Sequence, residues 1–199
     1  MTSQTPAVHC AAALALALAA TCPLAARAEP LAYRYIEGGL SADSDDGLGF
    51  ALRGSYGFGD DGDSGLYLMG SYVRRSGDDD FGRSVTRTDV DVGVGYRHVL
   101  DDHWDLIGEV AASRAERPLA AADAGTGAAR VGVGTRVGFS ERVEGLLRVD
   151  YRSKCTNGDA CFGGAAGLQV MLSTSMSIST EVQFGDAGEV LTIALRARF

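Results

Sequence analysis

The sequence predicts an all-β protein: one closed antiparallel transmembrane β-barrel of about ten strands, with eight as the alternative count. Three observations predict it. The chain ends in a stretch that alternates apolar and polar residues up to its last residue, Phe199. About ten segments of 9 to 14 residues repeat that alternation, separated by turns rich in Gly, Asp and Ser. When successive segments are reversed in direction, the aromatics of their apolar faces gather into two belts. Alternate side chains of a strand point to opposite faces, and a tilted strand needs about 9–11 residues to cross a bilayer.

Residues 1–28 read as a cleaved secretory signal peptide, and 29–199 as a single barrel domain. Ala11 to Ala20 is an Ala/Leu run too short to span a bilayer, and Ala26-Arg27-Ala28 has the small-x-small form of a cleavage site. The basic start usual in such signals is reduced to the amino terminus and His9. Cys22 would suit a lipid anchor, but Thr21 before it fits that signal poorly. Without residues 1–28 the chain keeps 17 basic and 26 acidic residues, a net charge of −9. That balance excludes nucleic acid as a partner, because phosphate binding needs clustered Lys and Arg. No later segment is a long apolar run, so no transmembrane helix is predicted.

The segments fall at 31–41, 47–59, 65–76, 87–100, 104–115, 128–139, 143–153, 162–172, 176–184 and 189–199. In the first, Glu37 is assigned inward with Tyr33 and Tyr35, because a carboxylate in lipid is costly; Ile36, Gly38 and Leu40 then face outward. In the second, Leu48, Phe50, Leu52, Gly54, Tyr56 and Phe58 oppose Arg53 and Ser55. In the fourth, Val90, Val92, Val94 and Tyr96 oppose Asp89, Asp91 and Arg97. The fifth sets Trp104, Leu106, Gly108, Val110 and Ala112 against Asp105 and Glu109. The sixth sets Val131, Val133, Thr135, Val137 and Phe139 against Arg130 and Arg136. In the seventh, Val143, Gly145, Leu147, Val149 and Tyr151 oppose Glu144, Arg148 and Asp150. In the ninth, Ile178, Thr180, Val182 and Phe184 oppose Glu181 and Gln183. The tenth separates Leu191, Ile193, Leu195, Ala197 and Phe199 from Thr192, Ala194, Arg196 and Arg198. No charge lands on the apolar face at mid-segment; Arg74 and Arg114 do fall on it, but near segment ends where long side chains snorkel.

Direction supplies the test that separates a barrel from a soluble sandwich, which also alternates. With odd segments running outward, Tyr96, Trp104, Phe139 and Phe199 form one belt. Phe50, Tyr72, Tyr151, Phe162 and Phe184 form the other. Aromatic girdles around a Val/Leu band belong to a membrane barrel.

The terminal segment resembles the end of a bacterial outer-membrane β-barrel, a resemblance that makes Phe199 part of a C-terminal insertion signal. Ala194 and Ala197 depart from the Gly and the large apolar residue common in that pattern. Tyr33-Arg34-Tyr35-Ile36-Glu37-Gly38, Gly54-Ser55-Tyr56, Val94-Gly95-Tyr96 and Asp105-Leu106-Ile107-Gly108 resemble the small outer-membrane barrels of plant-associated Gram-negative bacteria. These are the Ax-type barrels associated with immunity and quorum sensing, looser relatives of OmpX-type barrels. The resemblance implies a Gram-negative outer-membrane location and contact with outer-membrane lipid. It also implies handling by periplasmic chaperones and the barrel-assembly machinery; it brings no catalytic motif and no cofactor.

The candidate interior is a set of enclosed charges: Arg53, Arg97, Arg130, Arg136, Arg148 and Arg196 against Glu37, Asp91, Asp105, Glu109, Glu144, Asp150 and Glu181. One reading is an ion-selective lumen. The favoured one is a packed salt-bridge network filling a narrow barrel, with Gly93, Gly95, Gly132, Gly134 and Gly138 leaving room for long arginines. The basic residues are arginines except Lys154, and a guanidinium holds carboxylates in a fixed fork.

Other chemistry is weakly served. Cys155 and Cys161 flank a turn-like stretch and are expected to form a disulfide; as a metal site they lack nearby histidines. His98 and His103 fall by the periplasmic turn, away from where an outer-surface hydrolase would need them. The acidic stretches 41–46 and 77–80 match no calcium-loop spacing. Gly93/Gly95 and Gly132/Gly134 lie inside strands and are no nucleotide fingerprint. The function predicted is structural or surface-interacting, with no enzymatic activity and no identified external ligand. The alternatives are a narrow porin-like channel, then an adhesin or secreted elicitor.

Overall fold

The computed structural model describes residues 32–43, 47–59, 64–78, 84–116, 126–155, 159–185 and 188–199, so the expected signal peptide 1–28 lies outside the described residues. Ten strands follow one another: β1 (Tyr35–Asp43), β2 (Leu48–Gly57), β3 (Gly65–Asp78), β4 (Ser84–Asp101), β5 (Trp104–Glu116), β6 (Thr126–Ser140), β7 (Val143–Arg152), β8 (Cys161–Met171), β9 (Met176–Gly185) and β10 (Val190–Arg198). Each pairs antiparallel with its neighbours in sequence, and β10 returns to β1, closing the barrel. The closing seam runs from Tyr35↔Arg198 to Asp43↔Val190 without a register shift. Closure leaves no strand edge, the condition for a sheet to stand in lipid.

The pleat puts the two classes of residue on the two sides of this wall. Leu40, Leu52, Leu68, Val92, Val133, Val149 and Ile193 are exposed on the outside. Tyr96, Trp104, Phe139 and Phe199 are exposed toward the barrel end at which the first and last described residues lie, here the terminal end. Phe50 stacks near Tyr72, with ring centroids 5.6 Å apart, and Tyr151 near Phe162 at 5.2 Å, toward the opposite, distal end. Trp104 points its indole N–H at Thr135 Oγ1, so the girdle aromatic keeps a polar partner. Val143 departs from the sequence reading: expected outward, it is buried, beside the shift of register between Gly138 and Ser140.

Strand ends differ from the sequence reading in an informative way. β1 starts at Tyr35 and reaches Asp43, where the segment was expected to span 31–41. Asp43 closes the following turn, its N–H donating to Gly47 O at 2.9 Å and its carboxylate accepting from Gly47 N at 2.8 Å. β3 to β6 are the long strands, with 18 residues in β4. Past Tyr72 and Val90 their outward residues turn polar: Arg74, Ser76, Thr88, Thr86 and Ser84, with Arg114 and Glu116 on β5. A membrane crossing uses only about 9–11 residues, so the excess forms a hydrophilic ridge beyond the distal aromatic belt. Arg114 and Glu116 pair there at 2.9 Å in the open.

An SDS gel checks closure. The unboiled protein is expected to migrate differently from the boiled one, since a wall without edges resists detergent until heated; identical migration would contradict the closed seam.

Candidate functional site: the charged lumen

The structure places all thirteen of the charges named above on the inward face. Three clusters hold most of them. In the first, Glu37 sits opposite Arg53 on β2 and Arg196 on β10. Arg196 reaches it at 2.7 Å and Arg53 at 3.5 Å, and Ser179 Oγ donates to it at 2.9 Å. Arg53 also meets Glu181 at 3.0 Å, which accepts from Gln183. In the second, Arg130 lies between Asp150 (2.7 Å) and Glu109 (3.1 Å), with Arg148 bracing the same two carboxylates. In the third, Glu144 takes Arg136 at 2.6 Å and Arg198 at 2.5 Å.

The register explains this order. Residues of one parity are carried inside on every strand, so a charge meets partners on both flanking strands. A carboxylate removed from water is tolerable only when its lone pairs are matched. Glu37, at 2 % exposure, satisfies that through three donors. Gly132 serves the packing: a Cβ there would strike the Asp150 carboxylate and crowd Arg130 and Arg148.

Six charges outside the candidate set join the lumen. Arg198 pairs with Glu144 as described. Asp43, expected in an acidic loop, is carried inward by the longer β1 and faces Arg87 at 3.6 Å and Arg75 at 3.8 Å. Arg75 also binds Asp89 at 2.6 Å. Arg152 lines the interior from β7. Among the described residues, ten inward arginines thus face nine inward carboxylates. Asp91 accepts from Ser71 at 3.3 Å and from Ser113.

Tyr33 was expected inward, but the aromatic plug it forms with Tyr67 was not foreseen. Tyr33 and Tyr67, both 3 % exposed, pack ring to ring at 4.9 Å, with Ile107 behind them and Met69 and Leu146 at the margin. Arg136 and Arg97 lie over the Tyr33 ring at 4.5 and 4.7 Å. The Tyr33 hydroxyl donates to Asp105 and that of Tyr67 to Glu109. Arg136 also donates to the Ala32 carbonyl, tying the segment before β1 into the lumen. Gly95 makes this possible, because a Cβ there would collide with the Tyr67 ring. The signal available in the sequence was the parity of Tyr67 between outward Leu66 and Leu68.

The remaining space is a cavity of about 120 Å³, lined from Tyr33 and Glu144 near the terminal end to Asp91, Arg152 and Gln183 toward the distal end. Cys155 and Cys161 are joined by a disulfide at the distal end, with Cα atoms 6.0 Å apart. His103 lies in the terminal-end turn between β4 and β5, and His98 among the last residues of β4 before that turn, opposite Leu106. No group of three or more metal-ligating side chains occurs among the described residues. Residues 44–46 and 79–80 of the acidic stretches lie outside the described residues.

No protein-family model matches this sequence, and no curated protein does. Solved structures do. The KdgM porin in complex with disordered oligogalacturonate is similar with a TM-score of 0.51 and 12 % identity, over 83 % of this chain and 99 % of that one. A second KdgM porin structure gives 0.48 at 14 % identity, over 83 % and 99 %. The outer membrane protein Ail of Yersinia pestis, in a phospholipid bilayer nanodisc, gives 0.44 at 13 %, over 83 % and 97 %. The likeness to the first concerns the fold: this chain has the closed antiparallel architecture of small outer-membrane barrels.

Two outcomes follow from these contacts. Glu37→Ala is expected to lower stability by about 3–5 kcal/mol, because two enclosed arginines lose their shared carboxylate. A loss below about 1 kcal/mol in urea titrations would show that the cluster does not hold the β1 seam. Peptide mapping without reduction should recover Cys155 and Cys161 as one linked species, and Cys155→Ser should still give a closed barrel. Free alkylation of both thiols would remove the bridge.

Proposed function

We propose that this protein is a Gram-negative outer-membrane barrel that is closed to through-flow by its own side chains and acts through its surface, structurally or by contact, without catalysis. The observation that carries this reading is the aromatic plug, backed by the ion-pair clusters. Tyr33, Tyr67 and Ile107 are buried together in the lumen, and they occupy the path a solute would take. An open channel instead needs a polar, water-filled interior.

In this reading residues 1–28 are removed on export, and Phe199 belongs to the signal for insertion. Periplasmic chaperones and the barrel-assembly machinery handle the chain, and the exposed Val/Leu/Ile band meets lipid. The terminal end is periplasmic, so the polar ridge of β3 to β5 and the disulfide-braced loop face outward. The resemblance to plant-associated barrels supports a surface role, with the external ligand unassigned. Both histidines of the exported chain then lie on the periplasmic side, away from an outer-surface hydrolytic site.

The similar KdgM porin shares the architecture, and its oligogalacturonate belongs to that protein. Carrying an acidic chain through this lumen would require arginines available along a path. Here Arg53, Arg130, Arg136, Arg148 and Arg196 each already face a carboxylate or its equivalent contact.

Conductance in a planar bilayer tests the reading. The wild type is expected to give no steady current. Robust single-channel steps, with an ion selectivity moved by Arg136→Ala, would replace the closed barrel with a narrow channel.

A further inference from the structure

We propose that the lumen holds a small oxyanion, of the phosphate or sulfate class, between Arg130 and Arg152. The starting point is their register. Arg130 on β6 and Arg152 on β7 are direct cross-strand partners, both of inward parity and both lining the cavity. Directly opposed side chains have Cβ atoms about 4.5–5.5 Å apart, and like charges in that position repel. The repulsion is aggravated by enclosure, since Arg130 is only 2 % exposed.

The donors are not used up by the protein. Arg130 Nη1 serves Glu109 and Asp150, and Nη2 meets only the Met69 sulfur at 3.6 Å. Its Nε–H is buried without a hydrogen-bond partner, an arrangement that is costly when nothing compensates it. Arg152 meets no carboxylate among the described residues. It is the tenth arginine against nine carboxylates, and β8 offers only Cys161 opposite it and Gly163 as the next inward residue. A bound anion between the two guanidinium groups would cancel the repulsion and supply the missing acceptor.

The chemistry selects the class. Guanidinium forks match the paired oxygens of an oxyanion better than a spherical halide. The cavity of about 120 Å³ admits something the size of a few waters, which fits a free tetrahedral anion and not an oligomer. The reading is independent of whether the barrel conducts.

Calorimetric titration of the protein in an uncharged detergent, with inorganic phosphate at constant ionic strength set by sodium chloride, tests it. Saturable binding to the wild type is expected. Arg152→Gln should weaken it at least tenfold while the heat-dependent gel shift persists. Arg74→Gln, which removes an equal charge from the outer face, should leave the affinity unchanged. Arg152→Lys keeps the charge and loses the fork; it should bind roughly threefold weaker or worse, and it serves if the Gln variant fails to fold. Absence of saturable binding by the wild type would overturn the site. So would wild-type affinity in both Arg152 variants, or an equal loss in Arg74→Gln.

Discussion

A backbone placed in hydrocarbon has no water to satisfy its N–H and C=O groups, and the rest of this structure depends on that constraint. The only sheet that meets it is one closed on itself, and β10 returning to β1 is how this chain does so. Closure then dictates side-chain chemistry. Residues of one parity face lipid and must be apolar; residues of the other are enclosed, whatever they are. Charges kept off the outer band are therefore forced into contact with one another. Glu37 between Arg53 and Arg196 is the direct product of closing the β1 seam, because its partners come from the second and the last strands.

Enclosure also explains why the interior basic residues are arginines. A guanidinium presents five donors in a rigid fork and can serve two carboxylates at once, as Arg130 and Arg148 each do with Glu109 and Asp150. The near balance of charge inside contrasts with the acidity of the chain as a whole. Among the described residues, carboxylates outside the lumen such as Asp101, Asp102, Glu116 and Glu141 are exposed in turns and at strand ends, where water screens them.

The sequence made the wall legible and the contents of the lumen only partly so. Period-two alternation marks a strand wherever one face must be apolar, so β5, β7 and β9 were found almost to the residue. β3 was harder, since Tyr67-Leu68-Met69 is apolar on both faces; Tyr67 and Met69 are inward because the terminal end is packed and not wet. Asp43 read as loop because it stands in an acidic run, but its pairing with Val190 continues the strand and brings it to Arg75 and Arg87. The meeting of Tyr33 with Tyr67 depends on the stagger of β1 against β3, across β2, which no local pattern encodes. The Cys155–Cys161 pair, by contrast, was readable from spacing and from export.

The two ends of the barrel are built on different principles, and the difference follows from where the chain enters. Ala32 and Tyr33 precede β1 and still lie buried, so the entering segment itself fills the terminal end. Once Tyr33 is there, its ring needs cations on its faces and its hydroxyl an acceptor, and Arg136, Arg97 and Asp105 provide them. At the distal end the interior holds pairs such as Arg75 with Asp89, and the serines around Asp91. The same ends differ outside: apolar girdle residues near the termini, a polar ridge on β3 to β5 opposite. The buried Ala32 and Tyr33 thus fill the terminal end, while the lumen cavity extends toward the distal end as far as Arg152, on the strand that leads to the Cys155–Cys161 disulfide.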